Sequence, residues 1–143
     1  MKLKPLTDDG LKELLSQPLI AKLATTSPKG NVRISPLWFR AEPDGSLLIN
    51  TFEDSAPVKN LRKNERASLL VDSRDWPYYG VHYWGTAAIE GPEDDESGIA
   101  AMFAPYVGSL EGATEYAKTL ISYGKRVYIR FRPARKTSYD FRP

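Results

Sequence analysis

Cysteine is absent from this 143-residue chain, and histidine occurs once. Without cysteine there is no disulfide, no thiolate zinc site and no cysteine nucleophile, a pattern that suits a reducing compartment. His82 alone leaves no material for a multi-histidine metal centre. No serine sits in the glycine-flanked turn that would draw His82 into a nucleophilic triad. It lies mid-strand between Val81 and Tyr83, where a packed or hydrogen-bonded histidine is the expected reading. No apolar run approaches the ~20 residues of a membrane span. The N-terminus places Lys2 and Lys4 before Asp8 and Asp9, without the apolar centre of a signal peptide. A soluble, cytoplasmic protein without a membrane partner is expected. The formal charge of +2 is too small to argue for nucleic acid. Apolar residues make up 41% and charged residues 27%, ordinary proportions for one globular domain spanning 1–143.

The charge is unevenly spread. Glu93-Asp94-Asp95-Glu96 follows Pro92 and precedes an apolar helical pattern, so it is expected to complement a helix N-terminus. From Lys125 to Arg142 basic residues dominate, with Asp140 the lone acid, which reads as a solvated edge strand, with a face toward an anionic ligand as the alternative. The acidic run lacks the alternating carboxylates and glycine of a calcium loop, and no metal site is expected.

Ser55 to Asp72, SAPVKNLRKNERASLLVD, is the most informative stretch. A helix starting at Ser55 turns free backbone N–H groups toward the chain feeding it, and such an end attracts phosphate. The apolar strand Ala67–Val71 follows. Upstream, Thr7 can cap a short helix whose Leu11, Leu14 and Leu15 share one face before Pro18. Leu19–Thr26, Val32–Arg40 and Ser46–Phe52 read as strands of an antiparallel meander, separated by the turns at 27–31 and 42–45. Pro36 interrupts the second strand, where a bulge or an unpaired position is expected. Tyr79–Glu90 reads as a long strand in which Gly80 and Gly85 mark bending or close backbone approach. Ile99, Met102, Phe103 and Tyr106 follow helical spacing, and Tyr116, Leu120 and Tyr123 mark a second helix before Gly124. Val127, Ile129 and Phe131 alternate with polar neighbours as a half-buried strand, and Thr137–Phe141 reads as a short final strand. Six or seven strands with a few helices suggest an α+β protein built on an antiparallel β-barrel.

Most strand aromatics are expected in the core. Trp38, two residues after the strand proline, and Trp76, in a loop, are expected to border a cleft or a subunit interface. The basic residues cluster in other segments than the aromatic set Trp38, Phe39, Trp76, Tyr78, Tyr79, Tyr83 and Trp84, so single-stranded nucleic acid is not an expected partner. The inventory is poor in side chains arranged for protein-based catalysis. That fits a protein that holds a hydride-carrying cofactor, and equally a non-catalytic binding module.

Taken in order, LATTSPKGNVRISPLWF, LLINT, VKNLRKNERASLLVD and RVYIRFRPARKTSYDF resemble the pyridoxamine 5′-phosphate oxidase-like split-barrel superfamily. Within it the chain is most similar to the small proteins that bind FMN or the deazaflavin F420. The resemblance runs roughly from Leu11 to Phe141 and is weakest between Glu90 and Tyr123. It implies a six-stranded split barrel, a homodimer, and two cofactor sites built across the dimer interface. By position, Arg33, Ser35, Pro36 and Trp38 would line the ring, with Asn50 and Thr51 on the adjacent strand. Ser55, Lys59, Asn60 and Arg62 would surround the phosphate. Trp76 and the Tyr79–Val81 strand edge would come from the second subunit. One departure stands out: relatives commonly carry a lysine three residues before the asparagine equivalent to Asn60, and here that residue is Pro57. The resemblance implies an oxidoreductase passing a hydride to a small organic substrate, with FMN as cofactor and F420 as the alternative. The competing reading is a non-catalytic protein that has lost the phosphate clamp and binds a flavin or another flat ligand such as haem.

Overall fold

The computed structural model describes residues 4–91 and 95–143. Lys2, and Pro92, Glu93 and Asp94 of the acidic run, lie outside the described residues. The elements in chain order are α1 (Asp8–Leu15), β1 (Ile20–Thr26), β2 (Val32–Ala41), β3 (Leu47–Phe52), α2 (Ala56–Lys63), β4 (Arg66–Asp72), β5 (Tyr79–Glu90), α3 (Glu96–Val107), α4 (Leu110–Tyr123) and β6 (Arg126–Asp140). The six strands close into an antiparallel barrel in the order β1-β2-β3-β6-β5-β4. This is the α+β barrel that the sequence leads one to expect.

Local chemistry explains most element boundaries. Thr7 caps α1 by accepting a hydrogen bond from the Gly10 N–H at 3.0 Å, and Asp8 and Asp9 complement the positive end of the helix. Asp95 caps α3 by accepting from Gly98 N–H at 3.1 Å, so the described part of the acidic run does meet a helix start. Gly108, at φ +103°, ends α3 in the left-handed region that disfavours side chains. Ser109 then caps α4 through Gly112 N–H.

Pairing between β2 and β3 is short. It covers only Phe39–Ala41 against Leu47–Ile49, whereas β2 pairs with β1 from Val32 to Trp38. The two strands therefore part below Phe39. Pro36 lies on the parted stretch, opposite Lys22 of β1 in continuous register. Its missing N–H is tolerated there because no β3 partner waits for it. The expected bulge is not at Pro36: it falls in β5–β6, where the register shifts between Trp84 and Gly85. A β-carbon on Gly85 would collide with the Arg132 carbonyl, which is the close backbone approach anticipated for that glycine. This irregularity also absorbs Pro133 of β6.

Two further expectations need correction. Thr137–Phe141 is not a separate strand, because β6 continues unbroken through the bulge and pairs with β5 as far as Tyr79–Asp140. Nor is the basic C-terminal segment an edge strand, since β6 lies between β3 and β5 in a closed barrel. Three of its charges are paired with acids instead: Arg130 with Glu90, Arg132 with Asp44, and Arg142 with Asp140 and Glu13, while Arg135 lies over the Trp84 ring. Arg126 alone is buried.

Leu23, Ile49, Leu69, Val71, Val81, Ile129 and Phe131 fill the barrel and are fully buried, each worth about 1.5–3 kcal/mol against exposure. A second apolar cluster forms outside it, where Ile99, Met102, Phe103, Ala113 and Ala117 of the α3–α4 hairpin pack on Leu48, with Trp38 and Tyr128 at its margin. This hairpin clamps the outer face of β2 beside the point where β2 and β3 part.

Candidate functional site

The parting of β2 from β3 opens a cleft of about 240 Å³ lined by Pro36, Trp38, Asn50, Thr51, Tyr116 and Arg126 among others. Trp38 is held firmly on one wall. Its ring stacks on Tyr106 at 4.5 Å and meets the edge of Phe103 at 4.9 Å. The Tyr106 hydroxyl in turn donates to the Leu19 carbonyl at 2.7 Å and accepts from Phe39 N–H at 3.0 Å. It thus bridges β1 and β2 just past the end of their ladder, and burial raises its pKa above the ordinary phenol value.

Asn50 forms the floor. Its Nδ2 donates to the Val127 carbonyl at 3.2 Å, and its Oδ1 accepts from Arg126 Nε at 2.9 Å. Arg126 Nη2 also reaches the Asn50 carbonyl at 3.3 Å, and the guanidinium lies 4.3 Å from the Phe52 ring centroid. Arg126 is only 4% exposed, and among the described residues no carboxylate pairs with it. Desolvation pulls its pKa below the ordinary arginine value. The sequence reading counted Arg126 among the basic residues of the C-terminal stretch and missed it as a site residue. Nothing local separates it from Arg130, which shares its face of β6; what distinguishes Arg126 is its place in the cleft beside Tyr116 and Leu120 of α4.

Of the residues expected around a ring, Pro36, Trp38, Asn50 and Thr51 therefore meet at one cleft. Ser35 is buried in the barrel wall opposite Leu23. Arg33 is exposed and sits opposite Thr25, whose hydroxyl accepts from Asn60 Nδ2 of α2 at 3.0 Å. Arg33 is not among the residues that line the Trp38 cleft.

At α2, Ser55 is the N-cap residue and has the extended backbone that role requires. Its side chain makes no capping bond; instead Ser55 Oγ is buried and has no hydrogen-bond partner. Pro57 is buried in the first turn, a good helix-start residue that removes one N–H donor. Lys59 is exposed. Arg62 points away to Glu53 at 3.4 Å. Trp76 stands apart, 78% exposed in the β4–β5 loop. His82 is hydrogen-bonded to Ser68, whose hydroxyl donates to the Tyr83 carbonyl. That leaves the serine proton committed to backbone and His82 structural, as expected.

Among the described residues no group of three metal-ligating side chains converges, and no helix is long and apolar enough to cross a membrane. The sequence profile of the pyridoxamine 5′-phosphate oxidase family matches residues 7–137. The chain belongs to the pyridoxamine 5′-phosphate oxidase family. Among solved structures, it is similar to the conserved hypothetical protein Rv2991 from Mycobacterium tuberculosis, at 23% identity and a TM-score of 0.79, covering 99% of this chain and 91% of that one. A protein described as an F420 reductase matches at 21% identity and a TM-score of 0.69, over 87% of this chain and 94% of the other. An FAD-binding protein from Mesorhizobium loti matches at 15% identity and a TM-score of 0.66, over 96% of both chains. At these identities the likeness to the solved structures speaks for the fold, and the fold alone fixes neither substrate nor cofactor.

Proposed function

We propose that this member of the pyridoxamine 5′-phosphate oxidase family is a homodimeric, cytoplasmic oxidoreductase of one domain. It binds FMN, with F420 as the alternative, and passes a hydride to a small organic substrate. The observation that carries the reading is Ser55 Oγ, buried and without a partner at the start of α2. An unfilled buried hydroxyl costs about 1–3 kcal/mol. Here it sits at a helix N-terminus, where free backbone N–H groups and the helix dipole favour an anion. A phosphate oxygen at that point would satisfy it.

The residues present fit such a cofactor at the ring end and less fully at the phosphate end. Pro36, Trp38, Asn50 and Thr51 supply a flat wall and amide and hydroxyl groups for a ring. Ser55 and the α2 backbone, with Lys59 and Arg33 nearby in the fold, supply the phosphate site. A bound flavin or deazaflavin carries the hydride itself; the protein binds it, orients it and keeps water from it. The cleft of about 240 Å³ falls below the range of roughly 300–1,000 Å³ usual for a complete ligand site. A second copy closing it is consistent with Val32 and Ile34, both 67% exposed on β2, and with the exposed Trp76.

A second reading is favoured by two specific features: Pro57 at the family's lysine position and Arg62 engaged with Glu53. On that reading the protein holds a flavin weakly and does no chemistry. Titration of the purified protein with FMN and with F420, combined with sedimentation, tests the first reading. Micromolar binding of one cofactor per chain to a dimer is expected, and no binding of either would refute it. Turnover of the reduced cofactor with quinone or nitro acceptors would dispose of the non-catalytic reading.

A further inference from the structure

We propose that the groove between α1, the β2–β3 turn and the second half of β6 is a binding site for a small aliphatic carboxylic acid, separate from the cofactor site. The proposal stands without the cofactor reading: no residue of this groove lines the cleft beside Trp38 or belongs to α2.

Strand pairing creates the groove. β3 pairs with β6 only from Arg126 to Phe131, whereas β6 runs on beside β5 as far as Asp140. Past Phe131 the other side of β6 has no strand against it until Lys4 bridges to Asp140. α1, which buries Leu14 in the barrel core, forms the facing wall. The space between is about 920 Å³, within the roughly 300–1,000 Å³ usual for a small-molecule site. Leu11, Leu15, Pro43, Leu47, Pro133 and Ala134 give it aliphatic walls, and Tyr83 is the one aromatic residue that lines it. Such walls suit an alkyl body better than a ring that needs a stacking partner.

Tyr83 is the observation that points to a ligand. The residue is 5% exposed and lines the groove, yet its hydroxyl makes no hydrogen bond among the described residues. Ser55 Oγ is the one side-chain polar atom among them that is both sealed and unpartnered. The Tyr83 hydroxyl is therefore not sealed, and the groove is where its side chain opens. A buried polar group calls for a partner, and burial raises the pKa of this phenol, so at neutral pH it keeps its proton and can donate. An anionic oxygen accepts from it more strongly than a neutral one.

The charge needed to hold such an oxygen is beside it. Lys136 stands opposite Tyr83 in the β5–β6 ladder, and residues paired in this way send their side chains to the same face. Lys136 also lines the groove, together with Lys12, Arg132 and Arg135, against the two acids Glu42 and Asp44. Both acids are already engaged, Glu42 with Arg40 and Arg130, and Asp44 with Ser46 and Arg132. The groove is left with an excess of positive charge. A hydroxyl donor and an ammonium on one face, next to aliphatic walls, select a carboxylate on an alkyl chain and disfavour its neutral analogue.

The test uses octanoate and its neutral analogue octanamide as probes, with the protein free and saturated with FMN. Binding is followed by calorimetry and by backbone amide resonances of isotope-labelled protein. Octanoate is expected to bind saturably and to shift resonances of residues 11–16, 41–47 and 132–136, with octanamide at least about tenfold weaker. Tyr83→Phe, which keeps the ring and breaks no hydrogen bond, should weaken octanoate about tenfold. Lys136→Gln, at an exposed position, should remove most of the preference for the acid; if Tyr83→Phe does not fold, this variant decides. Equal binding of the two probes, shifts confined to other parts of the protein, or unchanged octanoate affinity in the variants would overturn the proposal. So would competition between octanoate and FMN, which would put the acid in the cofactor site. Absence of FMN binding alone would refute the cofactor reading and leave this site standing.

Discussion

Replacing Tyr106 by phenylalanine removes one oxygen atom and leaves the ring that stacks on Trp38. That oxygen links three elements: α3, which carries it; β1, through the Leu19 carbonyl at 2.7 Å; and β2, through the Phe39 N–H at 3.0 Å. Both backbone groups lie where the β1–β2 ladder ends at Ile20–Trp38, so neither has a strand partner on that side to fall back on. Each hydrogen bond contributes about 0.5–1.5 kcal/mol net, and an unsatisfied backbone group costs more when water cannot reach it. A loss of about 2 kcal/mol is expected, which for a chain of this length lowers the melting midpoint by roughly 6–10 °C. Urea unfolding followed by tryptophan fluorescence measures it, and the dependence on denaturant should keep its slope. Tyr116→Phe is the control, since Tyr116 is 42% exposed and should stay within about 0.5 kcal/mol of the parent. The reasoning fails if Tyr106→Phe costs no more than that control. Because the hydroxyl pins the ring that stacks on Trp38, the variant should also loosen the wall of the cleft and weaken ligand binding there.

Alkaline pH should destabilise the protein through the same group. Burial raises the phenol pKa values of Tyr83, Tyr106 and Tyr139, so the native state holds its protons to higher pH than the unfolded chain. Stability is then complete below the ordinary phenol pKa of about 10 and falls as pH rises through the native values. Urea midpoints across that range should show the decline, with a shallower one in Tyr106→Phe; a flat profile would contradict the assignment. Ser55→Ala should leave the cofactor-free protein as stable as before or slightly more so, because it deletes a buried hydroxyl with no partner. The same change should weaken FMN binding about tenfold, the worth of one hydrogen bond to a charged group, measured by equilibrium titration. A drop in the stability of the cofactor-free protein beyond about 1 kcal/mol would mean that the hydroxyl has a structural role after all.

Elements set by local chemistry were legible in the sequence. Thr7 with Leu11, Leu14 and Leu15 announced α1, and the alternation of Val127, Ile129 and Phe131 announced β6. Features that depend on which strands become neighbours were not. Pro36 signals an irregular strand, but whether that means a bulge or a missing partner depends on how far β3 runs beside β2, and here it stops at Ile49. Thr137–Phe141 looked separate because Pro133 breaks the local pattern, while the bulge that accommodates it is created by Gly85 more than forty residues upstream. The candidate site divides in the same way. Pro36 and Trp38 were readable as a strand interruption beside an aromatic, whereas Asn50 and Thr51 came only through the family resemblance. Lys59 and Arg62 were counted as cations near a phosphate, yet one is exposed and the other is spent on Glu53. Arg126 was hidden among neighbours of identical type.

The distribution of usable charge is then the opposite of what the motif suggests. At the start of α2, where a phosphate clamp is expected, the attraction rests chiefly on backbone N–H groups, the dipole and one hydroxyl, with the exposed Lys59 and Arg33 nearby, because Pro57 supplies no cation and Arg62 is paired with Glu53. In the β2–β3 cleft, where a neutral ring is expected, there is a buried guanidinium with no carboxylate partner among the described residues. A dipole and a hydroxyl hold an anion more weakly than a lysine does, so the phosphate end should contribute less to affinity than in a protein with that lysine. The desolvated arginine gains more from an anion than any exposed charge on the surface, because little water competes for it. Ligand selection should therefore be governed from the cleft rather than from the helix. Pro57→Lys tests this ordering directly: by equilibrium titration it should tighten FMN binding, and an unchanged affinity would mean that no phosphate sits at the start of α2.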